Sequence, residues 1–140
     1  MRINQIQDEI IEEFGAFDAW MDKYEYIIEL GKKLPLIDPA HKVDGNLIRG
    51  CQSRVWLRAE LNDGALRFTA DSDAVITKGI IALLVRVLAG QKPEEVASAD
   101  LYFIDAIGLR EHLSSTRANG LVSMVAELKR IGGEYSGARH

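Results

Sequence analysis

The sequence predicts one domain in which several helices pack on a small antiparallel β-hairpin. Two observations lead to this class: apolar residues recur at helical spacing in several segments, and one pair of alternating segments is joined by Asp63-Gly64. The length agrees, because 140 residues suit a single domain with its own core, and no repeat or linker is present. We expect residues 1–132 to form the domain and residues 133–140 to form a mobile tail.

Two helices are predicted at the start of the chain. Apolar side chains in residues 3–14 follow the helical period, with Asn4 able to cap the start and Gly15 at the end. A second apolar stripe runs through residues 18–33, and Pro35 prevents its continuation.

The strongest local pattern is a β-hairpin in residues 52–71. Asp63-Gly64 suits a two-residue type I′ turn. If Asn62 faces Ala65, the apolar side chains pair on one face: Leu61 with Leu66, Ala59 with Phe68, and Leu57 with Ala70. Trp56 is the exception on the polar face. Residues 35–50 have no clear period and are predicted as an ordered loop, with a short third strand at residues 46–48.

The next segment is the most apolar helix. Residues 73–88 leave a narrow polar stripe, and Gly90 ends the pattern. It is therefore predicted to be a central buried helix on the apolar face of the hairpin. Asp71 and Asp73 flank Ser72 just before it, where helix capping is the simplest role for these side chains and acid–base chemistry is the alternative.

The sequence patterns that predict secondary structure are weaker in the last third of the chain. Pro93 suits the first position of a short helix, and residues 101–107 are apolar but ambiguous. A last helix is predicted to begin at a cap formed by Ser114 or Ser115, and Gly132-Gly133 is expected to end it.

Composition excludes several classes of function. Seventeen Lys and Arg stand against 21 Asp and Glu, with a net charge of -4 and no basic patch with interleaved aromatics, so nucleic acid is not an expected partner. No apolar run could span a bilayer and the N-terminus lacks a signal-peptide pattern, so we expect a cytoplasmic protein that does not bind membranes. One cysteine can form neither an internal disulfide nor, within one chain, a zinc or iron–sulfur site.

Cys51 is the residue whose surroundings suggest chemistry. It follows Gly50 where a loop becomes a strand, its neighbours are polar, and Arg49 and Arg54 would favour the thiolate if they lie close. A lone cysteine can also be a small buried hydrophobe. The residues alone leave both interpretations open.

The histidines give little support to a catalytic pair. His41, His112 and His140 are distant from Cys51 in the sequence and form no metal-ligand pair such as His-x-x-x-His. A cysteine peptidase would need a histidine brought in by the fold, and His112 is the formal candidate.

The motif Gly50-Cys51-Gln52-Ser53-x-Val55-Trp56 is specific, because a cysteine, a tryptophan and several small or polar positions must agree in order. It resembles the active-cysteine motif of the SufE/CsdE family of sulfur acceptors. Segments at residues 71–74, 78–79, 112–114 and 117–121 are similar to family positions in the same order, so the resemblance covers residues 3–131. Ser115 departs from the family, which often has proline after the serine.

The resemblance implies an α+β fold in which a small antiparallel sheet is covered by helices, similar to SufE and to iron–sulfur scaffold proteins. A scaffold needs several cysteines, so that function does not transfer to a chain with one. The resemblance instead implies that Cys51 accepts persulfide sulfur from a pyridoxal-phosphate cysteine desulfurase of the SufS/CsdA type, stimulates it, and supplies a downstream iron–sulfur scaffold. Such a chain is a carrier rather than an enzyme and needs no cofactor or metal. The residues implied to support the loop or bind the partner are Gly50, Gln52, Ser53, Asp73 and Arg117.

Two alternatives from other classes stay open: a redox or hydrolytic protein that uses Cys51, and a desulfurase-binding module that does not need it. The strand alternation, extended back from Leu61, predicts that the Cys51 thiol points to the apolar side of the sheet. We therefore expect a sheltered thiol, and residues 45–50 would swing to expose it.

Overall fold

The computed structural model describes residues 2–137, which form seven α-helices and a two-stranded antiparallel sheet. This confirms the predicted α+β class. The elements in chain order are α1 Arg2–Gly15, α2 Trp20–Gly31, β1 Val55–Asn62, β2 Ala65–Ser72, α3 Val75–Leu88, α4 Pro93–Ser98, α5 Phe103–Ala106, α6 Leu109–His112 and α7 Ser115–Gly137. Met1 and residues 138–140 lie outside the described residues. None of the described helices is both long and apolar enough to cross a membrane.

The hairpin has the predicted register. Asn62 faces Ala65, and the pairing continues to Val55 opposite Ser72. Asp63 and Gly64 have φ of 52° and 80°, as a type I′ turn requires. Most of the apolar face of the hairpin is buried, although Leu61 beside the turn is exposed. This burial fixes the register, because a slip of one residue would turn the apolar side chains to solvent.

The predicted third strand at residues 46–48 is wrong. Residues 44–46 form a 3₁₀ turn, so only a short extended piece remains before Gly50 turns the chain. That piece makes one isolated antiparallel bridge, from Leu47 to Trp56, and the Ile48 N–H donates to the Val55 carbonyl at 2.8 Å. The loop is thus attached to the edge of the hairpin without extending the sheet.

Helix α3 is the centre of the fold, as predicted. It packs against β2, α1, α2 and α7, and most of its side chains are buried. Its closest neighbour is α2: a Cβ on Gly79 would lie 2.2 Å from the Ile27 carbonyl oxygen, and one on Gly31 would lie 3.0 Å from the Gly79 nitrogen. Only glycine lets the two backbones approach this closely.

The start of α3 differs from the prediction. Its N-cap residue is Ala74, and no side chain forms a cap hydrogen bond to the first turn. The Ser72 hydroxyl accepts from the Ala74 N–H at 3.2 Å, and the carboxylates of Asp71 and Asp73 contact other segments. Helix capping by Asp71 and Asp73 is therefore wrong.

The last third of the described chain consists of four helices joined by short non-helical segments. Residues 101–107, ambiguous in sequence, contain α5, and Gly108 with φ of 75° separates it from α6. The Ser114 hydroxyl accepts from the Arg117 N–H at 3.3 Å at the start of α7, which confirms the predicted cap.

Helix α7 does not end at Gly132-Gly133 as predicted but continues to Gly137. A Cβ on Gly132 would lie 2.7 Å from the Ala97 nitrogen of α4, so the glycine permits close helix packing instead of ending the helix. The mobility of the tail stays a prediction, and residues 138–140 of that tail lie outside the described residues.

Replacement of Gly79 by alanine tests the α2–α3 contact. The added methyl group would overlap the Ile27 carbonyl, so Gly79→Ala should lower the free energy of unfolding by about 3 kcal/mol. Gly133→Ala is the control, because nothing lies within 4 Å of its Cβ position and alanine favours a helix by up to about 1 kcal/mol. Urea unfolding of both variants measures the difference; equal stabilities would contradict the close contact.

Candidate functional site

Cys51 lies between the 3₁₀ turn of residues 44–46 and β1, and its side chain is half-buried. The thiol is turned inward: it packs against the core and donates to the carbonyl of Gly120 on α7, with Sγ 3.6 Å from the oxygen. This agrees with the orientation predicted from strand alternation. The thiol is therefore covered by the last helix while its loop lies at the surface.

Gly50 turns the chain so that the next residue faces α7. Its φ is +90°, a conformation that other residues rarely adopt, and a Cβ there would lie 2.3 Å from the Ser123 hydroxyl. The backbone conformation before the cysteine therefore favours glycine, and a larger residue would also force the Ser123 side chain to move.

Burial raises the pKa of the Cys51 thiol, because the thiolate would lose hydration in this position. The suggestion that Arg49 and Arg54 favour the thiolate is wrong. Both arginines are exposed, and no cation among the described residues counters the effect of burial on this pKa. In the observed conformation the thiol is a weak nucleophile.

Backbone contacts hold both ends of the Cys51 loop, which we define as residues 49–54. At its base the Ile48 N–H donates to the Val55 carbonyl at 2.8 Å. At its second end the Arg54 N–H donates to the Asp73 carboxylate at 3.0 Å, and the Asp73 N–H donates to the Arg54 carbonyl at 3.3 Å. Asp73 therefore supports the loop, one of the two roles expected for it.

A cluster of charged side chains around Asp71 holds Lys42, which belongs to the segment before the Cys51 loop. The Asp71 carboxylate pairs with Lys42 at 2.7 Å and with Lys78 of α3 at 3.3 Å. Burial alone would raise the pKa of Asp71, but hydrogen bonds from Lys42, the Ser72 amide and Lys78 outweigh it and hold that pKa below its ordinary value. The Lys42 ammonium also lies 4.8 Å from the centre of the Trp56 ring, which explains an aromatic residue on the polar face.

A cavity of about 110 Å³ adjoins the thiol. Its lining brings together four of the predicted site residues, Cys51, Gln52, Ser53 and Arg117. Gly50 and Asp73 are not part of the lining; they shape and hold the loop. Five further residues that were not predicted as site residues line the cavity: Thr77, Ile80, Thr116, Gly120 and Met124. Two of them could have been found in the sequence: Thr77 is a polar residue in an otherwise apolar helical stripe, and Gly120 lies in the segment 117–121 that resembles the family.

The histidines do not form a catalytic pair with Cys51. Within residues 2–137, neither His41 nor His112 lines the cavity. His112 stacks on Trp20 with ring centres 4.6 Å apart, and its Nδ1 lies 2.8 Å from the Gly108 carbonyl oxygen. His140 lies outside the described residues. The described residues also contain no group of three or more His, Cys, Asp or Glu side chains that could hold a metal ion.

The chain has clear relatives. Residues 8–131 match the model of the SufE family, described as an Fe-S metabolism associated domain. An uncharacterized SufE-like protein of Rhizobium meliloti is 41% identical over 127 residues, which cover 87% of this chain and 91% of the relative. A second uncharacterized SufE-like protein, from Rhizobium etli, is 39% identical over 127 residues, with 87% and 86% covered.

The fold also matches a solved structure. The solution structure of a hypothetical protein from Thermus thermophilus superimposes with a TM-score of 0.75, covering 92% of this chain and 94% of that one at 22% identity. At this identity the match supports the fold alone.

Proposed function

The chain belongs to the SufE family, which acts in iron–sulfur metabolism, and on that premise we propose that it is a sulfur acceptor and carrier. Cys51 takes persulfide sulfur from a pyridoxal-phosphate cysteine desulfurase of the SufS/CsdA type and delivers it for iron–sulfur cluster assembly. The observation that supports this most is the position of the chain's one thiol: it lies in a short surface loop beside a cavity, held at both ends.

The transfer is a thiolate exchange. The Cys51 thiolate attacks the terminal sulfur of the desulfurase persulfide, a new S–S bond forms, and the desulfurase cysteine leaves as a thiolate. Cys51 then carries S–SH, and no external oxidant or reductant takes part. The pyridoxal phosphate belongs to the desulfurase. The carrier activates the desulfurase and is not itself an enzyme. The cytoplasm, which keeps thiols reduced, is the proposed location.

The sheltered position of Cys51 suits the storage of a bound sulfur better than the acceptance of sulfur from a donor. A half-buried persulfide is shielded from reductants, but the thiol that must first react has its pKa raised by the same burial. Acceptance therefore requires a second conformation in which the thiol leaves the contact with Gly120. Docking of the desulfurase supplies the energy if it binds that conformation more tightly.

The moving segment lies four residues further along the chain than the sequence suggested. Residues 45–48 are held by the Leu47–Trp56 bridge, the Ile48–Val55 hydrogen bond and a bond of 2.7 Å from the Asn46 amide to the His41 carbonyl. We therefore place the movement in residues 49–54, with Gly50 as the hinge and Asp73 as the anchor. This replaces the expected swing of residues 45–50.

Arg117 and Gln52 are the proposed docking residues. Both side chains are exposed and line the cavity beside Cys51; Ser53, which also lines the cavity, is half-buried. Within the described residues no carboxylate forms an ion pair with Arg117, so its guanidinium is available for an acidic group of the desulfurase.

Intact-mass analysis tests the carrier function. After incubation with desulfurase and L-cysteine, the wild-type chain should gain the mass of one sulfur atom, and a reductant should remove it. Cys51→Ser should gain none and should lose stimulation of the desulfurase. Stimulation that survives in Cys51→Ser would instead favour the cysteine-independent binding module, and sulfur gained by that variant would rule out Cys51 as the acceptor.

Alkylation by iodoacetamide tests the movement of the loop. Because burial raises the pKa of Cys51, the free protein should react severalfold more slowly than the urea-unfolded chain at neutral pH, and its rate should rise at higher pH than that of the unfolded chain. Binding to a desulfurase whose own cysteine is replaced by serine should raise the rate at neutral pH. A rate that is already fast in the free protein and does not change on binding would contradict the sheltered state.

Arg117→Ala tests the docking contact. The variant should accept sulfur about tenfold more slowly, the equivalent of losing one favourable charge pair across an interface. Its melting temperature should not fall, because an arginine in the first turn of a helix opposes the helix dipole. Arg67→Ala is the control: Arg67 lies beside Gly90, beyond the other end of α3. Equal acceptance rates for the two variants would assign Arg117 an ordinary surface role.

A further inference from the structure

Thr77 is a buried polar residue with an unused hydroxyl. It is 7% exposed and lines the cavity beside Cys51. The other two buried polar side chains are hydrogen-bonded: Gln7 to Asp100 and Phe103, and Gln91 to Ala89. No side-chain hydrogen bond of Thr77 exists within the described residues, and none of their fully buried side-chain oxygens lacks a partner. The Thr77 hydroxyl is therefore accessible, and because the residue lines the cavity, the hydroxyl is free to donate to a group held there.

The polarity of the surroundings indicates an anion. Thr77 belongs to the first turn of α3, a 14-residue helix whose start has no side-chain cap. The free amides of an uncapped first turn carry partial positive charge and favour a negative group nearby. The hydroxyl of Thr77 can donate in the same region, so the first turn of α3 offers a donor and a favourable potential together.

The size of the cavity limits the ligand. About 110 Å³ exceeds the roughly 30 Å³ that one water occupies in the liquid, so an added sulfur atom fits whereas a large metabolite does not. Ile80, Gly120 and Met124 form buried walls, and the exposed Thr116 and Arg117 lie at the mouth. A small, polarisable anion attached to Cys51 matches both the space and the mixed walls.

We propose that Thr77 binds the terminal sulfur of the Cys51 persulfide, with the threonine hydroxyl donating a hydrogen bond to the perthiolate inside the cavity. This assignment rests on the proposed sulfur-carrier function and adds the residue that retains the sulfur after transfer. The carrier then keeps its cargo through stabilisation of the anion as well as through shielding. Thr77 contacts the cargo and takes no part in forming the S–S bond.

The test loads Cys51 without the desulfurase. The Cys51 thiolate attacks a sulfane sulfur of inorganic polysulfide and displaces the polysulfide anion shortened by one sulfur, which leaves the Cys51 perthiolate. Cyanide then attacks the terminal sulfur, forms thiocyanate and releases the Cys51 thiolate. Cyanide is small enough to enter the cavity, so its rate reports stabilisation of the persulfide rather than access. Intact mass and thiocyanate release follow the loss of sulfur.

Thr77→Val removes the hydroxyl at nearly constant volume and should lose sulfur about tenfold faster than wild type, as expected for one lost hydrogen bond to a charged group. Its melting temperature should be unchanged or higher, because a buried methyl group replaces an unpaired hydroxyl. Thr77→Ser should restore slow loss. Thr69→Val makes the same chemical change on β2, outside the cavity lining, and should behave as wild type.

The assignment would be overturned if Thr77→Val lost its persulfide sulfur as slowly as wild type. It would also be overturned if Thr77→Ser lost that sulfur as fast as Thr77→Val. A wild-type chain that cannot hold sulfur from polysulfide would overturn it as well. These results are separate from those for the carrier function: a chain that loads from polysulfide but never from a desulfurase keeps the role of Thr77 and loses the proposed function.

Discussion

The contact between α2 and α3 at Gly79 determines where the site lies. Since a side chain at this position would collide with the Ile27 carbonyl, the two helices lie at a separation that only glycine allows. With α3 fixed there, its buried stripe supports β2 on one side and α7 on another. The first turn of α3 contributes Thr77 to the cavity, and Asp73 immediately before α3 holds the loop. A contact well inside the core thus positions the surface loop that carries the thiol.

Local features of the fold were predictable from sequence and distant ones were not. The hairpin register follows from Asp63-Gly64 and from the alternation beside it, which are properties of consecutive residues. The third strand failed because a 3₁₀ turn shortens the extended segment, and Gly132-Gly133 was taken for a helix end because its contact with α4 is distant in sequence. The polar residues before α3 were assigned to capping, yet Asp73 bonds to Arg54, nineteen residues away.

In the candidate site, too, features set by neighbouring residues were predictable and features set by distant residues were not. The motif around Cys51 predicted a candidate reactive residue and, through the family resemblance, residues that the structure places near it. The environment of the thiol could not be predicted, because it depends on Gly120 and on the burial that α7 provides. Arg49 and Arg54 lie within three residues of the cysteine in sequence but are exposed, and so the thiolate gains nothing from them. Neighbours along the chain are a poor guide to the electrostatics of a side chain that faces another element.

The two attachments of the Cys51 loop also set a length scale. Six residues separate Ile48 from Val55, and a chain of that length spans about 20 Å when fully extended. Because its ends are held next to each other, the loop must travel out and back, so its tip can rise no more than about 10 Å above the surface. The length of the loop therefore limits how far the Cys51 thiol can reach into a partner. For the proposed sulfur transfer, a partner persulfide buried deeper than this below the partner's own surface would lie out of reach, whatever the affinity of the two proteins. The depth of the donor cysteine would then decide which donors the chain can serve.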